Sequence, residues 1–315
     1  MSGGVDSSVA AALLQETGYD TTGVFMVNWK EGCEWKEDRQ DAIRVCAKLN
    51  IRFLTFDCEK EYKKEVIDYM TREYMEGKTP NPDVMCNKKI KFGIFLKQAI
   101  NMGADFIATG HYIKIKNLKI KIQNDKSKSK IIYRLLQAKD KNKDQSYFLW
   151  TLTQKQLKHC LFPIGNYLKS DVRKMAKKFN LLTAQKKDSQ GLCFVGKIKF
   201  DDFLKNLITK KNVSGNHFKK GKIIRTNGKV EGEHEGIPFY TIGQRQGLRI
   251  GGRKSEKTKS TRPFYVIEKD YKKNALIVGE ENNPLLYKKE LFAENLNWIN
   301  ISNHSGLTAV VRARI

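Results

Sequence analysis

Seven residues near the start constrain this chain more than anything else in it. Ser2-Gly-Gly-Val-Asp-Ser-Ser8 sets two glycines ahead of a helix start. Backbone N–H groups can then converge on an anion, and the helix dipole reinforces the preference. Ser2, Ser7 and Ser8 add hydroxyl donors, and Asp6 has the chemistry to hold Mg²⁺ or a water. A bare Gly-Gly pair with serines would be an ordinary turn and cap; the full run is far more specific. It lacks the lysine of a Walker A loop, which argues against γ-phosphoryl transfer.

Beyond the loop, helix and strand patterns alternate. Residues 7–15 read as helix and Thr22–Asn28 as a short apolar strand. Asp38–Leu49 reads as a helix with Ala42, Val45, Cys46 and Leu49 on one face, and Ile51–Phe56 as a second strand. A helix over Glu59–Met75, a breaker-rich loop over Gly77–Asp83, a helix over Asn87–Met102 and a strand over Asp105–Thr109 come next. Strands alternating with helices predict an α/β fold with a doubly wound parallel sheet, whose ligands sit beyond the carboxyl ends of the strands.

Charge divides the chain. Residues 1–100 hold 15 Lys/Arg against 16 Asp/Glu, residues 101–200 hold 22 against 6, and residues 201–315 hold 22 against 12. A general lysine bias should not spare the first hundred residues. The asymmetry therefore favours a neutral catalytic part and a basic part that meets a polyanion, most simply nucleic acid. No apolar run approaches the roughly 18 residues that cross a bilayer, and no secretory signal precedes the first motif. With six scattered cysteines and no CxxC pair, neither a disulfide scaffold nor a zinc site is expected, and a reducing cytoplasm fits best.

Further along, residues 114–130 carry seven Lys and one Asp in an alternation that suggests a hairpin with a solvated tip; phosphate contact is the sharper alternative. Ser170 is placed to cap a helix with Val172, Met175, Ala176 and Phe179 as a core stripe. From about residue 221 the texture turns to short β-prone runs, with Thr226-Asn-Gly-Lys229 a hairpin signal and Phe264–Gly279 a second one. These shifts divide the chain into an α/β domain over 1–197, a small mixed domain over 198–259 and a β-rich piece over 260–315.

The opening run resembles the pyrophosphate (PP) loop of the ATP pyrophosphatases, which cleave ATP to AMP and pyrophosphate. Asn81-Pro-Asp-Val-Met-Cys-Asn87, Ala108-Thr-Gly-His-Tyr112, Lys143-Asp-Gln-Ser-Tyr-Phe148, Asp188-Ser-Gln-Gly-Leu-Cys-Phe194 and Tyr240-Thr-Ile-Gly-Gln-Arg-Gln-Gly247 occur in order after it. Together they resemble, over essentially the whole chain, the tRNA-specific 2-thiouridylase family. That resemblance implies a PP-loop ATP pyrophosphatase domain, a central domain and a partial β-barrel. It implies an enzyme, a tRNA-uridine 2-sulfurtransferase, that adenylates the wobble-uridine C2 oxygen and replaces it with sulfur. ATP is the substrate, Mg²⁺ the expected counter-ion, and the partners are a tRNA anticodon loop and a persulfide-donating relay protein.

The resemblance assigns ATP to Met1, Ser2, Gly3, Gly4, Val5, Asp6, Ser7 and Ser8, with Met26 near adenine and Gly110 at the nucleotide. It assigns tRNA contact to Asn81, Pro82, Asp83, His111, Lys143, Asp144, Gln145 and Arg314, and gives Asp83 a role as base or uracil-positioning carboxylate. Read as residues alone, Cys46 and Cys160 belong to the core. Cys86 and Cys193 occupy loops where a thiol can be exposed, near lysines that favour thiolate. By resemblance Cys193 carries the persulfide and Cys86 resolves it. Two departures mark the chain as shortened relative to that pattern: Met1 stands where a strand would precede the loop, and the sequence stops at Val311-Arg-Ala-Arg-Ile315, with Ile315 in the place of a tyrosine.

Overall fold

The computed structural model describes residues 1–30, 34–122, 125–188, 203–207, 218–250 and 263–299. Two compact units emerge. The first comprises Met1–Val66, Pro82–Lys197 and Asn295–Ile315; the second comprises Ile67–Asn81 and Ile198–Glu294.

In the first unit, helix α1 (Val5–Glu16) carries Val9, Ala10, Ala11 and Ala12 as a buried apolar run. Strand β1 (Thr22–Val27) pairs in parallel with β2 (Arg52–Asp57), from Thr22↔Arg52 to Val27↔Asp57, with helix α2 (Glu34–Lys48) between them in sequence. Such a crossover is what parallel pairing requires. Phe25 and Val27 pack on Ala42 of α2. Beyond β2 come α3 (Glu59–Tyr62) and a π-helical stretch over Lys63–Ile67, after which α4 (Asp68–Met75) belongs to the second unit. Helix α5 (Pro82–Met85) leads into a π-helical stretch over Cys86–Phe95 and α6 (Leu96–Asn101).

Strand β3 (Ile107–Ala108) pairs in parallel with β6 (Cys160–Leu161), and β4 (Ile113–Ile122) with β5 (Asp125–Gln137) forms the expected lysine-rich antiparallel hairpin. Its Lys116, Lys119 and Lys130 are exposed. Between β5 and β6 lies α7 (Gln154–Leu157), closed by a capping box of Thr153 and Gln156. Helix α8 (Lys169–Lys178) buries Val172 and Ala176, with Met175 and Phe179 partly buried against the same cluster as Val5, Val9 and Tyr112. The stripe is core, as the periodicity predicts. The cap differs: Ser170 lies inside the helix, whose first turn is held by Asp171 on the Leu168 N–H and by the distant Asp140 on the Lys169 N–H. A carboxylate 29 residues away leaves no local capping signature.

The second unit holds an open four-stranded sheet in the order β8-β7-β10-β9. The Thr226–Lys229 turn joins β7 (Gly221–Arg225) to β8 (Val230–His234), with Gly228 in the left-handed region. The second expected hairpin is β9 (Phe264–Asp270) with β10 (Ala275–Glu280). Strand β10 also pairs in parallel with β7, and Ile223, Val266, Leu276 and Val278 fill the core beneath. The α/β class with parallel pairing is as expected. Strands β9 and β10, from the stretch expected to begin the barrel, share this sheet with β7 and β8 from the expected central stretch, and no barrel closes among the described residues.

Candidate active site

The opening loop is held by its own serines. Ser2 donates its backbone N–H to Ser7 Oγ at 3.1 Å, and the Ser7 and Ser8 hydroxyls donate to the Gly4 carbonyl at 3.2 and 2.8 Å. The fully buried Ser8 is thus structural, whereas Ser2 and Ser7 edge the loop. Gly3 adopts φ +70°, and a Cβ there would stand 2.2 Å from the Asp38 carbonyl oxygen. Gly4 is the N-cap of α1 and makes no side-chain capping bond. A Cβ on Gly4 would meet nothing closer than Ser2 Oγ at 3.5 Å. Gly3 is needed for packing, whereas a side chain at Gly4 would meet only ordinary contact. The N–H groups of the first turn have no intrahelical acceptor and, backed by the helix dipole, suit an anion.

Three residues from two remote segments close on this turn. Gly110, just past β3, lies so near that a Cβ would stand 2.7 Å from the Ser7 nitrogen and 2.8 Å from the Asp6 carbonyl carbon. Tyr112 donates its hydroxyl to Asp6 Oδ1 at 2.8 Å. Lys169, at the start of α8, donates to both Asp6 oxygens at 2.7 and 2.8 Å and meets Asp188 Oδ1 at 2.9 Å. Burial and the Asp6 carboxylate push the Tyr112 phenol far above its ordinary range, so it stays protonated. Asp188 also takes Lys143 on Oδ2 and Arg173 on Oδ1, both at 2.7 Å. Partial burial alone would raise its pKa; hydrogen bonds from Lys143 and Lys169 outweigh that and hold it at about 2.

Within Lys143-Asp144-Gln145 the three residues have separate roles. The Lys143 ammonium is on Asp188, with close to half of the side chain exposed. Asp144 is buried, accepting from the Ala138 N–H at 2.8 Å and from Ser146 Oγ at 2.7 Å, so it shapes the turn. Gln145 Oε1 accepts from the Tyr112 N–H at 2.9 Å, and its own N–H donates to the Tyr112 carbonyl at 3.0 Å. Sequence motifs pointed to this segment and to Gly110. They missed Lys169 and gave Tyr112 and Asp188 no role, although both lie inside the family motifs; Lys169 has no local signal at all.

The remaining candidates lie elsewhere or are covered. Met1 donates its amino group to the Val24 carbonyl, and Met26 is half-buried near the carboxyl end of β1. His111 is 7% exposed, with its ring against Phe92 and Phe162 and Nδ1 hydrogen-bonded to Thr109 Oγ1 at 2.8 Å. Burial, helped by Lys91, holds it well below the ordinary histidine pKa and therefore neutral.

Asn81 is exposed, Pro82 buried and Asp83 intermediate. The helix begins at Pro82, whose fixed φ suits a first helical position. The loop expected at Cys86 is accordingly corrected: Cys86 opens the π-helical stretch and is 1% exposed. Cys46 and Cys160 are buried as expected, and Cys58 is too. Burial raises all three thiols, Cys58 to about 11 with help from Glu61 and Asp57, and Cys160 to about 12. Cys33, Cys193 and Arg314 lie outside the described residues.

The family described as the tRNA methyl transferase HUP domain matches residues 1–197, and that described as the tRNA methyl transferase PRC-barrel domain matches residues 201–280. The chain is 48% identical over 306 residues to a tRNA-specific 2-thiouridylase MnmA from Blochmanniella floridana, covering 95% of this chain and 77% of that one. Proteins of the same name from Alkaliphilus oremlandii and Bacillus subtilis are 46% and 44% identical over 305 residues, each covering 95% of this chain and 77% and 75% of theirs.

Proposed function

The chain belongs to the tRNA-specific 2-thiouridylase family, and from that premise we propose that it converts the wobble uridine of tRNA to 2-thiouridine, spending ATP to AMP and pyrophosphate. The observation that carries this reading is the convergence of Gly110, Tyr112 and Lys169 on the first turn of α1 beside Ser2–Ser8, with Lys143 and Gln145 bonded to the next residues out, Asp188 and Tyr112. That arrangement suits a triphosphate held against an RNA-facing segment.

A carbonyl oxygen is a poor leaving group, so the uridine O2 first attacks the α-phosphorus and expels pyrophosphate. Uncapped N–H groups of α1 hold the phosphates, with Met26 beside the adenine. Mg²⁺, if bound, would take Asp6 as a carboxylate ligand beside phosphate oxygens and would neutralise phosphate charge; Lys169, which now holds both Asp6 oxygens, would have to yield one of them. Among the described residues no cluster of three His, Cys, Asp or Glu side chains offers a dedicated metal cage.

Sulfur arrives as a persulfide on Cys193 from a donor protein. Its terminal sulfur attacks C2, and AMP leaves with the original oxygen. The Cys86 thiolate then attacks the Cys193 sulfur. The S–S bond breaks, its electron pair stays with the sulfur on C2, and a Cys86–Cys193 disulfide remains for an external thiol to reduce. Because Cys86 is covered, its surroundings have to move for this attack. Asp83 positions the uracil or serves as base, and Asn81, Pro82, His111 and Arg314 belong to the tRNA contact. The anticodon loop is read through unpaired bases, in a cytoplasmic setting; no helix of the described residues is long and apolar enough to cross a membrane.

Persulfide mapping tests the assignment. Cys193→Ser should accept no sulfur from a donor. Cys86→Ser should accept it yet accumulate no 2-thiouridine, and single turnover of the unmodified protein without reductant should leave one bridge between the two. Full activity in either variant, or a bridge to Cys33, Cys46, Cys58 or Cys160, refutes the two-thiol chemistry.

A further inference from the structure

We propose that the Lys143–Gln145 segment and the nucleotide loop are energetically coupled through Asp6, so that tRNA and ATP do not bind independently. This deepens the function proposed above and rests on it. Two hydrogen-bonded paths lead from that segment to the same carboxylate. In the first, Lys143 holds Asp188 at 2.7 Å, Asp188 holds Lys169 at 2.9 Å, and Lys169 holds both oxygens of Asp6. In the second, Gln145 grips the backbone of Tyr112 on both sides, and the Tyr112 hydroxyl reaches Asp6 Oδ1 at 2.8 Å.

The charges make these paths responsive. Asp188 is shared by Lys143, Lys169 and Arg173. An RNA phosphate that draws Lys143 away removes one of its three counter-charges and strengthens its hold on Lys169. Lys169 then neutralises Asp6 less well, and Asp6 belongs to the loop that takes the triphosphate. The Lys169 side chain is only 13% exposed, so solvent and salt screen this exchange weakly. Gln145 transmits displacement of the same segment to Tyr112 and so to the second hydrogen bond on Asp6. Linkage requires the effect to be reciprocal: bound nucleotide alters RNA affinity by the factor with which RNA alters nucleotide affinity.

The test measures dissociation constants for α,β-methylene-ATP and for an unmodified anticodon stem-loop on the full chain. Each is titrated alone and with the other saturating. The expected wild-type coupling is about five-fold or more, equal whichever ligand is titrated. Asp188→Asn with Tyr112→Phe should bring it to within about two-fold of unity while both separate affinities stay measurable. Lys169→Arg should keep the coupling and Lys169→Met should weaken it, which carries the test if the double variant melts. A purely structural role for these residues would lower melting temperature and leave the coupling untouched. A wild-type factor within about two-fold of unity, or one that survives the double substitution, overturns the proposal. Failure of the wild type to bind either ligand alone overturns the proposed function instead.

Discussion

Gly110→Ala is the smallest change that should disable nucleotide chemistry without touching any polar group. The new methyl would stand 2.7 Å from the Ser7 nitrogen, 2.8 Å from the Asp6 carbonyl carbon and 3.1 Å from Asp6 Cβ, where ordinary contact begins at 3.4 Å. The first turn of α1 must therefore retreat by about 0.7 Å, the difference between those distances. Two of the three obstructing atoms are backbone, so no side chain can swing aside. Overpacking of this kind costs about 1–3 kcal/mol of stability. A misplacement approaching 1 Å at a reacting site costs about 100-fold in rate, equivalent to roughly 2.7 kcal/mol. The measurement is tRNA-dependent ATP–pyrophosphate exchange, with melting temperature and stem-loop affinity as controls. We expect kcat/KM to fall about 100-fold with tRNA affinity within about three-fold of wild type. Exchange within about two-fold of wild type would refute the placement of the phosphates at this turn, and equal loss of RNA affinity would reduce the effect to misfolding.

The same structure sets further expected outcomes. Gly3→Ala should destabilise the protein, since its Cβ meets the Asp38 carbonyl in a left-handed conformation, whereas Gly4→Val, a poorer N-cap whose Cβ meets only ordinary contact, should cost less stability and abolish nucleotide binding; a calorimetric comparison of the pair decides. Replacing Lys119, Lys121, Lys126, Lys128 and Lys130 should flatten the dependence of log tRNA affinity on log salt by about 0.7–0.9 for each phosphate no longer neutralised, and an unchanged slope returns the hairpin to plain solvation. Asp188, depressed from an ordinary 3.8 to about 2, contributes stability above pH 4 that is lost as pH falls from about 4 to about 2, on the order of 2 kcal/mol. Acid unfolding of Asp188→Asn should lack that component. Cys58 and Cys160, raised to about 11 and about 12 by burial, should resist alkylation at pH 8 in the folded state, as read by peptide mapping.

Local pattern alone specified a good deal of this protein. The glycine pair before α1, the apolar runs of β1 and β2, the face of α2 and the Thr226–Lys229 turn each report a preference of adjacent backbone, and each forms where the residues predict. The motifs also marked Gly110 for the nucleotide and Lys143–Gln145 for the tRNA. What they could not carry was the assembly of the site. Lys169 meets Asp6 across 163 positions and Tyr112 meets it across 106, so only packing of α8 and the segment after β3 against α1 brings them together. Burial was likewise a tertiary outcome: Cys86 lost its expected exposure because Pro82 starts a helix early, and His111 became a neutral ring among phenylalanines. Backbone preference is short-ranged and legible one stretch at a time. The desolvation of a thiol or an imidazole, and the sharing of one carboxylate among three cations, depend on which distant surfaces the folded chain presses together.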